Sequence, residues 1–139
     1  MVIAPYAYVD TSALVKLVVA ESETVALEHH LAHRAGLLCS ALGATELIRA
    51  CRRSLTKKQL AHVGDVLEAI VLIDVTPAIL EAAAGLTPKE LRTLDAIHLA
   101  TALAVNDSSM DMITYDLTLA RSAKAHGFVV HSPGSATPR

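Results

Sequence analysis

The sequence predicts a three-layer α/β/α domain with a central, mostly parallel sheet of about four or five strands. Three observations carry this. Short apolar runs that end in a polar residue alternate with longer stretches of helical period, the pattern of strands joined by crossover helices and covered on both faces. Helix-start signals recur directly after those runs, at Ser40, at Thr76-Pro77 and at Asp116, as side-chain caps and a first-turn proline require. The chain has 139 residues, 53% hydrophobic and 19% charged, which suits one core and is too apolar for disorder.

Taken in order, Val2, Ile3 and Ala7 to Val9 form an apolar run that ends at Asp10, and a short helix is expected over residues 11–19. Ser22 is the expected cap of the next helix and Gly36 its end, by the preferences of helix termini. A brief strand at 37–39 leads to Ser40, the cap of a helix to about residue 54. Thr56-Lys57-Lys58-Gln59 has capping-box spacing and Leu55 with Leu60 that of a hydrophobic staple, predicting a helix to residue 68,. Residues 70–75 read as the clearest strand. Pro77 opens a helix closed by Gly85, and Thr87-Pro88-Lys89-Glu90 repeats capping-box spacing for a single turn. A long helix is expected over 93–105, a loop over 106–109 and a strand over 112–114. Asp116 caps a helix ending at Gly127, a last strand covers 128–130, and 132–139 reads as a flexible tail after a domain spanning 1–131.

The net charge is −2, so no global basic field advertises nucleic acid, and such contact needs a local patch. Two cysteines, Cys39 and Cys51, make no disulfide framework and suit a reducing compartment,. The first residues lack a basic region and cleavage pattern, and the apolar runs fall short of a membrane span,. A cytoplasmic protein is expected, with some apolar surface shared with a partner.

Four carboxylates stand out. Asp10 and Asp116 each follow a strand and open a helix. Ligands of open α/β sheets bind beyond the carboxyl ends of the strands, but Asp is also a favoured cap for structural reasons alone. Glu46 lies between Leu42 and Ala50, and Asp95 between Leu91 and Leu99, at four-residue spacing on rows that otherwise face inward,. An acid there is costly unless paired or bound to a cation, with Arg49 or Arg92 as the structural partner. Together the four can converge at one sheet edge, and carboxylate oxygens suit Mg²⁺ or Mn²⁺. No Cys/His spacing of the zinc type is present,. His29 and His33 have the spacing of a helical metal pair, but an exposed helix end explains them as well.

These residues are similar to a known family. Asp10-Thr11-Ser12-Ala13-Leu14-Val15-Lys16, Ser40 with Glu46-Leu47-Ile48-Arg49-Ala50, the run 94–102 around Asp95, and Thr114-Tyr115-Asp116-Leu117 resemble, in order and spacing, the four motifs of the PIN-domain family. The likeness extends to its toxin branch, the VapC-like ribonucleases of type II toxin–antitoxin pairs. It implies a metal-dependent endoribonuclease in which Asp10, Asp95, Asp116 and Glu46 hold Mg²⁺, or Mn²⁺ in its place, and leave 5′-phosphate and 3′-hydroxyl ends. Ser12 and Thr114 are the implied outer contacts of the acids. A VapB-like antitoxin, an RNA substrate, a homodimer and a higher toxin–antitoxin assembly are the implied partners. Arg49, Arg52 and Arg53, with Lys57 and Lys58, form the dense basic cluster that could track phosphates,, or simply a solvated helix end. His98 is expected to pack or hydrogen-bond.

Two other classes remain open at this level. A receiver-type signalling module would use Asp74 as phosphoacceptor, Asp10 for Mg²⁺ and Thr114 as its switch hydroxyl, but it leaves Glu46 and Asp95 unused. A catalytically inactive nuclease fold kept for binding is the other. A haloacid-dehalogenase-type phosphatase needs a second Asp two residues after Asp10, where Ser12 stands.

Overall fold

The computed structural model describes residues 5–53 and 55–135; Val2, Ile3, Ser54 and the last four residues of the expected tail lie outside them. The elements run β1 (Ala7–Val9), α1 (Thr11–Val18), α2 (Thr24–Leu31), β2 (Leu37–Ser40), α3 (Ala41–Cys51), α4 (Lys57–Glu68), β3 (Val71–Ile73), α5 (Pro77–Ala84), α6 (Thr93–Val105), β4 (Asp111–Ile113), α7 (Leu117–Ala125) and β5 (Val130–His131). The strands form one sheet in the order β3-β2-β1-β4-β5, every neighbouring pair parallel. The expected α/β/α architecture is present, with five strands. No helix among the described residues is long and apolar enough to cross a membrane.

The pleat divides the core in two. Ala7, Val9, Cys39 and Ile113 face a cluster with Leu14, Leu27, Leu47 and Val63 from the first four helices. Tyr8, Met112 and Val130 face the other, built on Ile79, Leu99 and Leu119 of α5, α6 and α7. Helix α6 is buried almost all round from Asp95 to Ala102, because it packs against α5, α7 and the sheet at once.

Several boundaries depart from expectation for local reasons. Ser22 does not cap α2: its hydroxyl bonds Glu23, and Thr24 accepts from the Glu21 N–H instead. That helix ends at Leu31 rather than near Gly36, because Arg34 leaves it to meet Asp111 at 2.8 Å. Helix α3 stops at Cys51, short of residue 54. The capping-box spacing at 87–90 gives the single turn expected of it, closed by the Leu91 N–H on Pro88 O, and the Thr87–Pro88 peptide is cis. Strand β5 starts later than 128, since the Phe128 N–H still bonds Ala123 of α7. The capping box at Thr56 and Gln59 is present. Ser132 and Pro133, which read as tail in the sequence, are tied to the body. Ser132 Oγ donates to Thr114 O at 2.6 Å, and Tyr115 Oη donates to Pro133 O at 2.7 Å.

Gly43 decides how closely α3 approaches the sheet. A Cβ there would overlap Cys39 Sγ and come within 3.3 Å of His98 Cε1. Gly43→Ala gains about 1 kcal/mol of helix propensity against an overpacking cost of roughly 1–3 kcal/mol. The expected result is a net loss of about 1 kcal/mol in urea unfolding. A gain in stability would show that the core yields freely.

Candidate active site

Adjacent strands β1 and β4 deliver the first two acids. Asp10 caps α1 and Asp116 caps α7, and each caps through one carboxylate oxygen. In both, Oδ1 accepts a helix N–H, that of Ala13 for Asp10 and of Leu119 for Asp116. The second oxygen faces elsewhere. Asp10 Oδ2 accepts from the Thr114 hydroxyl at 2.8 Å, and Asp116 Oδ2 accepts from Arg92 Nη2 at 3.0 Å. Capping therefore occupies one oxygen of each acid and leaves the other to Thr114 or Arg92.

Asp10 is 4% exposed. Burial pushes its carboxyl up from 3.8 to about 6, against the opposing pull of the Ser12 hydroxyl, the His98 charge, Thr114 and the Ala13 N–H,. Ser12 Oγ donates to Asp10 Oδ1 at 2.7 Å and accepts the Tyr115 N–H. Thr114 Oγ1 in turn accepts the Asp116 N–H at 3.0 Å. The two hydroxyls singled out from the sequence fix both oxygens of Asp10 and the loop that carries Asp116.

Asp95 stands in the first turn of α6. Burial first, and then the charge of Asp116, push its carboxyl above the ordinary value, with Arg92 offsetting part of the rise. Arg92 spans the two acids, with Nε 3.3 Å from Asp95 Oδ2 and Nη2 3.0 Å from Asp116 Oδ2. The ion pair considered for Asp95 is thus real, and it is shared with Asp116.

Glu46 takes neither arginine. Its Oε1 accepts from Thr11 Oγ1 at 2.8 Å and lies 2.7 Å from His98 Nε2. Behind it, His98 Nδ1 is 2.7 Å from Tyr8 Oη, which accepts the Ser40 N–H at 3.0 Å. The His98 ring thus links Tyr8 to Glu46 through its two nitrogens. Burial raises the Glu46 carboxyl, but the hydrogen bonds from His98 and Thr11 and the His98 charge outweigh it and hold it below the ordinary value.

Asp95 and Asp116 are thus joined by Arg92, Asp10 is tied to the Asp116 loop through Thr114, and Glu46 is held separately by Thr11 and His98. Among the described residues, no three His, Cys, Asp or Glu side chains converge closely enough to hold a metal ion as they stand. The donor chemistry nonetheless fits a hard divalent cation, and the Asp95–Asp116 pair already accommodates a positive group,. Arg49, Arg52 and Arg53 are exposed at the end of α3. Asp74 is exposed after β3, the outermost strand, two strands from Asp10, so a phosphoacceptor there would be separated from its supposed Mg²⁺ ligand. His33 lies in the turn after α2, with its Nδ1 3.3 Å from His29 O, so the expected helical pair at 29 and 33 is not formed on one helix.

Residues 7–125 match the model of the PIN domain. The chain belongs to the PIN-domain family. It is 39% identical over 132 residues to Ribonuclease VapC46 of Mycobacterium tuberculosis, covering 91% of this chain and 96% of that protein. Among solved structures it resembles VapC20 of M. tuberculosis, a Sarcin-Ricin loop cleaving toxin, with a TM-score of 0.71 at 17% identity over 88% of this chain and 96% of that one. VapBC2 from Rickettsia felis, bound to a DNA fragment from its promoter, gives 0.64 at 16% identity over 91% and 97%. At those identities the structures establish the fold, and the PIN assignment displaces the receiver reading built on Asp74.

Tyr8, Thr11 and His98 form a hydrogen-bonded group around Glu46 that sequence reasoning did not assemble. The available signal was position: Tyr8 and Thr11 flank Val9-Asp10, and His98 follows Asp95 by three residues, which puts it one turn along the same helix face.

Proposed function

We propose that this PIN domain is the toxin of a type II toxin–antitoxin pair, a Mg²⁺-dependent endoribonuclease acting at Asp10, Glu46, Asp95 and Asp116. One observation carries the reading. Asp95 and Asp116 close on a shared cation at the sheet end where Asp10 is buried with both oxygens held by hydroxyls. The 39% identity to a protein named as a ribonuclease, over nearly its whole length, supports the same conclusion.

Bound among these acids, Mg²⁺ or Mn²⁺ would lower the pKa of water and offset charge on the phosphate oxygens. The chain's own residues supply the rest. Ser12 and Thr114 orient Asp10. Glu46, kept ionised by His98 and Thr11, orients the attacking water or accepts its proton. Arg49, Arg52 and Arg53 hold phosphates on the exposed end of α3. A VapB-like antitoxin is the expected partner, placing a basic side chain against the carboxylates, in a homodimer that joins a larger toxin–antitoxin assembly.

The test is RNA cleavage by purified, antitoxin-free protein with Mg²⁺ or Mn²⁺, beside EDTA and Asp95→Ala. EDTA should abolish cleavage, and the substitution should cut the rate by about 1000-fold, roughly 4 kcal/mol of barrier. Cleavage that survives EDTA would sink the metal mechanism. Metal binding without cleavage of any cellular RNA would favour a nuclease fold kept for binding alone.

A further inference from the structure

We propose that Arg92 is a resident counter-ion of the acid pair, a positioning residue that clasps Asp95 to Asp116 in the metal-free chain and leaves them when a divalent cation binds. The inference rests on the reading of those carboxylates as metal ligands.

The geometry is that of a stand-in. One guanidinium reaches both acids, through Nε at 3.3 Å and Nη2 at 3.0 Å. The Arg92 side chain is 73% exposed, whereas those of Asp95 and Asp116 are 13% and 23% exposed. The arginine therefore lies over the mouth of the pair and is not built into the core.

Its backbone position makes the placement more telling. Arg92 occupies the N-cap position of α6 without a side-chain cap bond, and it reaches toward Asp116 at the start of α7. Both helix starts carry positive partial charge, which disfavours a cation. The two carboxylates are what hold it there.

Two acids crowded together repel each other and need positive charge between them. Without Arg92 they stay uncompensated and take up a metal more avidly. With it, a divalent ion must displace a weak, solvent-screened clasp. The displaced guanidinium remains anchored at the mouth, where its planar fork suits an incoming phosphate.

The experiment is calorimetric titration of the full chain with MnCl₂ alone at fixed ionic strength. Arg92→Gln is compared with wild type, with Asp95→Asn, and with Arg121→Gln, which removes the same charge from an exposed position of α7. Arg92→Gln should bind Mn²⁺ about three- to tenfold more tightly, the range expected from releasing exposed ion pairs. Arg121→Gln should change affinity by less than about twofold, a distance-screened effect. Unchanged or weaker binding in Arg92→Gln would overturn the proposal, as would equal tightening in Arg121→Gln. Asp95→Asn should weaken binding by at least about tenfold, losing a charged ligand. An Asp95→Asn variant that binds like wild type would remove the metal-site reading and this inference with it. A purely structural arginine gives no gain in metal affinity, so the direction of the change discriminates.

Discussion

Asp10→Asn is expected to make the metal-free protein more stable at neutral pH while abolishing its activity. The carboxyl of Asp10 is buried and pushed up to about 6 from 3.8, so the folded chain holds this proton more tightly than the unfolded one. Between those values the folded state carries the extra proton, and its stability falls as pH rises from about 4 to about 6. Above that window the full cost persists. A shift of about two units corresponds to about 3 kcal/mol at pH 7.5. Asparagine cannot ionise, and it can keep the bonds at both ends: Oδ1 accepts from Ser12 and Ala13, and Nδ2 donates toward the Thr114 oxygen. Urea unfolding should therefore show the variant about 2 kcal/mol more stable at pH 7.5, with the gain nearly gone at pH 4. Cleavage of RNA should fall by about 1000-fold or more, and Mn²⁺ should stabilise wild type but not the variant. Equal stabilities at pH 7.5 would mean that the carboxylate is better solvated than its burial implies.

That trade of stability for chemistry explains why some of the site is legible in the sequence and some is not. Asp95 and Glu46 are conspicuous because an acid on an apolar helix row contradicts the local pattern, and such conflicts mark functional positions. Asp10 and Asp116 are ambiguous, because a cap and a site acid look alike in one dimension. In the structure each caps through Oδ1 and turns Oδ2 to Thr114 or Arg92, an arrangement compatible with both roles. The core strands and the helices with side-chain caps are readable from periodicity and capping chemistry. Helix α2 is not, because its end is set by Arg34 reaching Asp111, a contact between residues distant in sequence. The same limit hides the Tyr8–His98 bond, whose partners are separated by 90 positions. A histidine among apolar residues carries no sign of what its two nitrogens meet. Arg92 is visible as an ion-pair partner, yet its bridging of two acids depends on α6 and α7 starting side by side.

The buried chain from Ser40 through Tyr8 and His98 to Glu46 is the second place where a large effect is expected. His98 is 2% exposed. Truncation to alanine leaves a cavity, strands the Tyr8 hydroxyl and removes a donor from Glu46. Those losses should cost about 3–5 kcal/mol in unfolding. They should also lower kcat by about 10–100-fold with little change in KM, the scale of a lost outer-shell contact. Glutamine separates packing from hydrogen bonding, because its Oε1 can accept from Tyr8 while its Nε2 donates to Glu46, with a spacing close to that of the imidazole nitrogens. His98→Gln should recover most of the lost kcat and keep the acid limb of the pH–rate profile in place. His98→Ala should shift that limb upward, since Glu46 loses a bond that holds its carboxyl below the ordinary value despite burial. The sign follows from the direction of the shift: a lowered folded-state pKa keeps Glu46 ionised further into acid, and removing the donor withdraws that protection. If His98→Gln is as impaired as His98→Ala, the ring acts by shape rather than through its nitrogens, and the bond from Tyr8 has no part in catalysis.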